Sequence, residues 1–214
     1  MKKIKLQDWP RRESFEYFNS YASPLFNVCA QPEITPTFDY IEERGLSKFT
    51  AVLWLISCAA NSVPEIRHRV RENEVVAHDI VHPSFAVMTE NKTLAFCAVE
   101  YTDDIPKFFS DVDTGIARVK ADPNLIDKPG ADDLLVVSCV PWINFTSITH
   151  PVKGDWTDNI PRISWGKLTR ENGNVTMPVS LQLHHGLADG YYAGLFFEKL
   201  DDLIARPDTL SWPE

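Results

Sequence analysis

Among the six histidines of the chain, His184 and His185 are adjacent. They close the run PVSLQL and are followed by Gly186-Leu187-Ala188-Asp189-Gly190. Histidine is the side chain whose ordinary pKa lets it take and return a proton near neutral pH. A histidine at a strand end can face a cleft while its backbone stays fixed. Neighbouring side chains on a strand point to opposite faces, so the pair is not expected to share one metal ion. Asp189, opening the next helix, suits an N-cap. Ser138, in LLVVSCV, offers a hydroxyl that could serve a reacting oxygen or simply bond to backbone. His68, in the basic run IRHRVR, and His78, His82 and His150, in polar or turn settings, read as solvated.

The elements that would position these groups follow from periodicity. RESFEYFNSY, residues 12–21, predicts a first helix. Residues 47–62 predict a stronger one, with Ser47 as N-cap and Phe49, Val52, Leu53, Ile56 and Ala60 on one face. Two short extended runs fall within 74–87 and another strand within 93–99. Residues 105–120 repeat Ile105, Phe108, Phe109, Val112, Ile116 and Val119 at helical spacing. The continuous apolar run 134–140 fits a strand covered on both faces. Residues 162–169 and 175–183 flank an Asn-Gly pair, the sign of a tight hairpin. A last helix is expected over 193–205, closed by Pro207. Helices and strands mix without a βαβ rhythm, which predicts an α+β fold with one mixed sheet and helices packed on it.

Composition narrows the function. At 214 residues, with 44% hydrophobic and 24% charged side chains, the chain reads as one globular domain spanning 1–214. A net charge of −9 supplies no broad basic field for nucleic acid or an anionic membrane. Nine glycines form neither GxGxxG nor GxxxxGK[ST], which argues against a Rossmann site or a P-loop. No serine sits in a GxSxG turn. The four cysteines, Cys29, Cys58, Cys97 and Cys139, are far apart, three of them in apolar runs, and read as small buried hydrophobes. The basic start lacks an apolar stretch, and the apolar run 49–60 is too short to cross a bilayer, so a cytoplasmic location is expected.

His184-His185 through Asp189-Gly190 resembles the HHxxxDG signature of the chloramphenicol acetyltransferases, which are related to the acyltransferase cores of 2-oxo acid dehydrogenase complexes. Three further islands, correctly ordered and spaced, extend the likeness over essentially the whole chain. Trp9-Pro10-Arg11-Arg12-Glu13 resembles the family's W-x-R-[RK]-E opening. SCVPWINF, residues 138–145, resembles its S-x-x-P-W-[VIT]-x-F segment. Residues 161–167 followed by PVSLQLHH resemble its closing hairpin.

The resemblance implies a two-layer α/β sandwich, acetyl-CoA as co-substrate without a metal, and a homotrimer with sites at subunit interfaces. It makes His185 the general base for attack of a chloramphenicol hydroxyl, Ser138 the oxyanion donor, Asp189 and Arg11 a bracing ion pair, and Ser164 a hydroxyl near a bound water. Tyr17, Phe18, Phe26, Trp142, Phe145 and Ile148 fall on acceptor or channel positions, and Lys48 and Lys167 on positions near the coenzyme phosphates. The departures fall largely on the acceptor side. Tyr17-Phe18 reverses the usual Phe-Tyr, Ile148 replaces an aromatic, Gly186-Leu187-Ala188 lacks the cysteine before the Asp, and Tyr191-Tyr192 lacks the usual His. On the coenzyme side Leu168 replaces an aromatic. Two other readings stand beside this one: the same chemistry on another small alcohol, and a catalytically idle ligand-binding protein.

Overall fold

The computed structural model describes residues 1–123, 130–152 and 158–210. Its frame is a six-stranded sheet made, in spatial order, of Leu25–Ala30 (β2), Val179–His184 (β11), Arg162–Trp165 (β8), Leu134–Cys139 (β7), His82–Met88 (β5) and Leu94–Ala98 (β6). β11 runs antiparallel to β2 and β8, whereas β7 runs parallel to both β8 and β5. The sheet is mixed, as the sequence implies. The unbroken apolar run of β7 sits between two parallel neighbours, where such a pattern belongs.

Side chains alternate cleanly across this sheet. Phe85, Leu135, Val137, Ile163, Trp165, Leu181 and Leu183 lie in the main core. On that side pack Lys48–Ser62 (α3), Ile105–Ala121 (α4) and Gly190–Ile204 (α5). Ser47 caps α3 as expected, its Oγ accepting from Thr50 N at 3.2 Å. Inside α3, Val52, Leu53, Leu55 and Ile56 are fully or almost fully buried, each such burial stabilising by about 1.5–3 kcal/mol. The helix is buried nearly all round, so it is the centre of the helical layer.

The opposite face of the sheet carries Val136 and Ser138 on β7, Arg162 and Ser164 on β8, Ser180, Gln182 and His184 on β11, and Asn27 on β2, by the register of the strands. This face is polar yet covered, because part of the segment after β7 lies over it. His150 reaches Ser164, and the Ile148 carbonyl accepts from Asn27 Nδ2.

A second, antiparallel sheet orders Lys2–Ile4 (β1), Glu74–Ala77 (β4) and His68–Arg71 (β3). It carries a small core of Phe15, Val75 and Leu187 with Trp9 against it. The basic run at β3 is not a solvated stretch: Arg69 is fully buried, donating to the carbonyls of Ile66, His68, Asp132 and Leu134. His68 and His78 are buried too, contrary to the solvated reading.

Several elements lie outside the sequence expectations. β2, β3 and the helix Thr35–Glu43 (α2) carry no strong period, being short and half-exposed. α5 starts at Gly190, three residues before the expected Ala193, because Asp189 caps it. The hairpin arms are each broken in two, with Thr169–Glu171 (β9) and Asn174–Thr176 (β10) forming a separate ribbon. At its tip Asn172 and Gly173 have φ of 50° and 90°, the left-handed pair that an Asn-Gly turn supplies. Pro178, which has no N–H to offer a ladder, lies at the break, and at Gly166 an added Cβ would collide with the Ile143 carbonyl. Among the cysteines, all free, only Cys97 is buried; the other three are half-buried.

Candidate active site

The turn after β11 is built around His184. Its Nδ1 accepts from Gly186 N at 3.1 Å, and its carbonyl accepts from Leu187 N at 2.9 Å and Ala188 N at 3.1 Å. Burial pushes this imidazole down to about 4, so at neutral pH Nδ1 is unprotonated and able to accept. His184 is therefore the keystone of the turn. Leu187 plugs the small core and Ala188 the main one, which pins the turn at two points.

His185 projects from this fixed turn. Its backbone N donates to Pro24 O at 2.6 Å. Its ring lies parallel to Phe18, on Arg12–Asn19 (α1), with centroids 3.9 Å apart and planes 6° apart. Phe26 packs at 4.6 Å on a tilt. Nδ1 is buried and has no partner among the described residues, which leaves Nε2 as the nitrogen able to meet a substrate. Tyr17 touches the Phe18 ring edge-on at 5.1 Å but is itself 61% exposed.

Arg11 and Asp189 do meet. Arg11 Nη1 donates to Asp189 Oδ2 at 2.6 Å, and the guanidinium lies over the Tyr192 ring. Asp189 Oδ1 accepts from Tyr191 N at 3.0 Å, so the carboxylate braces Arg11 and caps α5 together. Burial alone would raise this carboxyl; the hydrogen bond and charge of Arg11 and the amides of Tyr191 and Tyr192 outweigh it and hold the group below its usual range.

Ser138 and Ser164 belong to a different place. They are paired in register on β7 and β8, and Ser164 is in turn paired with Ser180 on β11. His185 follows Ser180 by five residues. At ~3.3 Å per residue along the strand and ~4.8 Å between strands, Ser138 and His185 of one chain lie on the order of 20 Å apart. The Ser138 hydroxyl makes no hydrogen bond to the described residues. Ser164 Oγ is fully buried at 3.2 Å from His150 Nε2. Burial and the charge of Arg162 lower the His150 pKa, so this histidine, read from sequence as solvated, belongs with the Ser164 group instead. Its isolated polar setting in the sequence gave no sign of that.

Near the same strand ends a cavity of 460 Å³ is lined by Lys48, Phe49, Cys139, Trp165, Lys167 and Leu168, among others. The two lysines picked from sequence thus share one cavity. Lys167 is exposed and forms no ion pair among the described residues, while Lys48 Nζ is 2.7 Å from Glu42 Oε1 and over the Phe38 ring. Burial pushes the Cys139 thiol up to about 12. Trp142 is 67% exposed, neither core nor channel wall within one chain, and Phe145 is buried. Ile148 contributes its carbonyl to Asn27. No cluster of three or more His, Cys, Asp or Glu side chains suited to a metal occurs among the described residues.

The constellation thus comes in two halves: a braced, ring-clamped histidine at the end of β11, and a hydroxyl pair beside a lysine-flanked cavity at the ends of β7 and β8. The mixed sheet with its one-sided helical layer is an acetyltransferase fold, and with the family match the chain is an acyltransferase. The family model for chloramphenicol acetyltransferase matches residues 1–201, and the chain belongs to that family. A chloramphenicol acetyltransferase of Clostridium perfringens is 27% identical over 209 residues, covering 96% of this chain and 95% of its own. A solved chloramphenicol acetyltransferase superposes with a TM-score of 0.88 at 26% identity, over 95% of this chain and 100% of its own. The dihydrolipoamide acetyltransferase of Azotobacter vinelandii shares the fold alone, at a TM-score of 0.67 and 18% identity over 92% and 88% of the two chains.

Proposed function

We propose that the protein transfers acetyl from acetyl-CoA to a hydroxyl of a small alcohol, with chloramphenicol the acceptor that family membership suggests first. His185 Nε2 removes the hydroxyl proton as the alcohol oxygen attacks the thioester carbonyl. The C–O bond forms, and the carbonyl oxygen takes the charge of a tetrahedral intermediate, to which Ser138 Oγ donates. Collapse restores the carbonyl and breaks the C–S bond; the departing thiolate takes the proton held by the His185 imidazolium. Atoms and charge balance without a covalent enzyme intermediate, in keeping with the lack of a GxSxG serine. Lys48 and Lys167 attract the coenzyme phosphates, giving an acidic chain a local positive site. Phe18, Phe26 and Tyr17 wall the alcohol beside His185, while Trp142, Phe145 and Ile148 bound the Ser138 side.

The observation that carries this reading is the clamped imidazole braced through Arg11 and Asp189. A general base contributes about 10²–10⁴-fold only when its ring is held in place, and a merely structural histidine needs no such brace. The separation of Ser138 from His185 supports a working site formed between two chains, as in a homotrimer whose interfaces bring one protomer's His185 to its partner's Ser138. Thiol release from acetyl-CoA in the presence of chloramphenicol, then of a panel of neutral alcohols, tests the activity. Transfer that disappears in His185→Ala at unchanged Tm is expected. Ligand-induced Tm shifts without thiol release from any alcohol would replace the enzyme with a binding protein.

A further inference from the structure

The guanidinium that braces the His185 turn is anchored on one edge only. Arg11 Nη1 donates to Asp189 Oδ2 at 2.6 Å, Nη2 reaches toward the His185 carbonyl at 3.4 Å, and the group lies over the Tyr192 ring. Its remaining nitrogen, Nε, is buried and has no hydrogen-bond partner among the described residues. A guanidinium keeps all its N–H groups in a protein, so Nε is a buried donor that lacks an acceptor. One strong contact at Nη1 leaves the plane of the group able to pivot about Asp189.

A group of the opposite kind stands nearby. His68 lies on β3 and shares a strand face with Val70, which packs against the small core of Phe15, Val75 and Leu187. Its ring meets Trp9, two positions before Arg11, edge-on at 5.9 Å. The residue is only 7% exposed, and its Nδ1 too is buried without a partner among the described residues. Burial, with the charges of Arg67, Arg69 and Arg11, pushes this imidazole down to about 4. It is therefore neutral near pH 7, and a neutral imidazole has one nitrogen that accepts. The backbone beneath it is fixed, because the His68 carbonyl accepts from Arg69 Nη1 at 2.6 Å and His68 pairs with Ala77 in the sheet. Buried waters are held by polar groups that would otherwise go unsatisfied, and here a lone donor and a lone acceptor face the same small core.

We propose that a buried water joins Arg11 Nε–H to His68 Nδ1, and that His68 is thereby a positioning residue for His185. The water accepts from Nε and donates to Nδ1, which leaves the imidazole proton of His68 on Nε2. With anchors on two edges the guanidinium cannot pivot, and the carboxylate and turn that aim His185 are fixed with it. The role rests on the acyl-transfer reading for what the aimed imidazole does, whereas the bridge itself is read without substrate.

A crystal structure of the full chain is expected to show one ordered water about 2.7–3.2 Å from both nitrogens. With 15N-labelled arginine, the Arg11 Nε–H, assigned by its disappearance in Arg11→Lys, is expected to exchange with solvent about tenfold faster in His68→Leu than in the wild type. In steady-state kinetics His68→Leu is expected to lower kcat by about tenfold, with both KM values within about twofold and no loss of Tm. His68→Asn, whose Oδ1 can accept in place of Nδ1, is expected to keep kcat within about threefold of wild type. Absence of the water from the wild-type structure, or Nε–H exchange unmoved in His68→Leu, would overturn the bridge. A kcat unchanged in His68→Leu, or lowered equally in His68→Asn, would overturn the positioning role. The water present in the crystal but no thiol release from acetyl-CoA with any alcohol would keep the bridge and overturn acyl transfer instead.

Discussion

The Phe18 ring lies flat on the His185 imidazole, 3.9 Å away and 6° from parallel. A face-to-face contact of this kind blocks rotation of the imidazole without engaging either nitrogen, so the ring is aimed by packing. Phe18→Ala is expected to lower kcat by about 10–100-fold through misplacement of the base, with a small loss of Tm. Steady-state kinetics on the purified variant check this; an unchanged kcat would show that the stack does not aim the ring.

The bracing pair predicts a second outcome. Asp189→Asn keeps a side chain able to cap α5 but removes the charge that faces Arg11. Because Asp189 is 35% exposed on its side chain, the expected loss is about 1–3 kcal/mol, below that of a fully buried pair. Denaturant unfolding reads the stability, and kcat is expected to fall with it, since Arg11 Nη2 also reaches toward the His185 carbonyl at 3.4 Å.

Ser138→Ala is expected to leave stability nearly unchanged, as its hydroxyl has no partner to lose among the described residues, and to cost about 2.7–4 kcal/mol of barrier. If the two halves of the site come from different protomers, chains carrying Ser138→Ala and chains carrying His185→Ala complement one another when refolded together. Random mixing in equal amounts in a closed ring would restore about a quarter of wild-type sites. Activity of the mixture no higher than that of the separate variants would place the site within one chain.

Stability should fall on acidification through the histidine range. Burial, with the charges of Arg67, Arg69 and Arg11, lowers His68 to about 4, and burial lowers His184 to about 4. An unfolded histidine titrates near 6.5, so between about pH 6.5 and 4 the unfolded chain binds more protons than the folded one. Each residue then removes up to ~1.4 kcal/mol per pH unit as pH falls, and the stabilisation is fully present above the unfolded value. Denaturant titrations at several pH values read the slope. His184→Asn is expected to flatten it, while a slope unchanged by that variant would show that His184 is not the titrating group.

Strong local patterns made much of this legible in the sequence. The extent and cap of α3, the parallel-strand run of β7 and the Asn-Gly turn all appear where the residues put them, although α3 is buried nearly all round and not on one face only. β2 and α2 were opaque because half-buried elements at an edge carry mixed side chains that no period marks. At the site, Arg11 and Asp189 are 178 positions apart, and their pairing emerged from motif likeness, not from local spacing. The role of His184 was hidden because a histidine that accepts a backbone hydrogen bond looks, in sequence, like one that moves protons. The polar row of Ser138, Ser164, Ser180 and Gln182 needed the register, since no single strand displays it.

Cys139 gives the lysine-flanked cavity a chemical consequence of its own. With its thiol pushed up to about 12, only about 1 in 10⁴ to 10⁵ of these groups is thiolate near pH 7.5. On the proposed function, in which the acyl thioester lies along this cavity, a sulfur in its wall is thereby kept from taking the acyl group. Electrophiles and oxidants, which also need thiolate, are expected to react slowly with it, which thiol labelling of the folded chain checks.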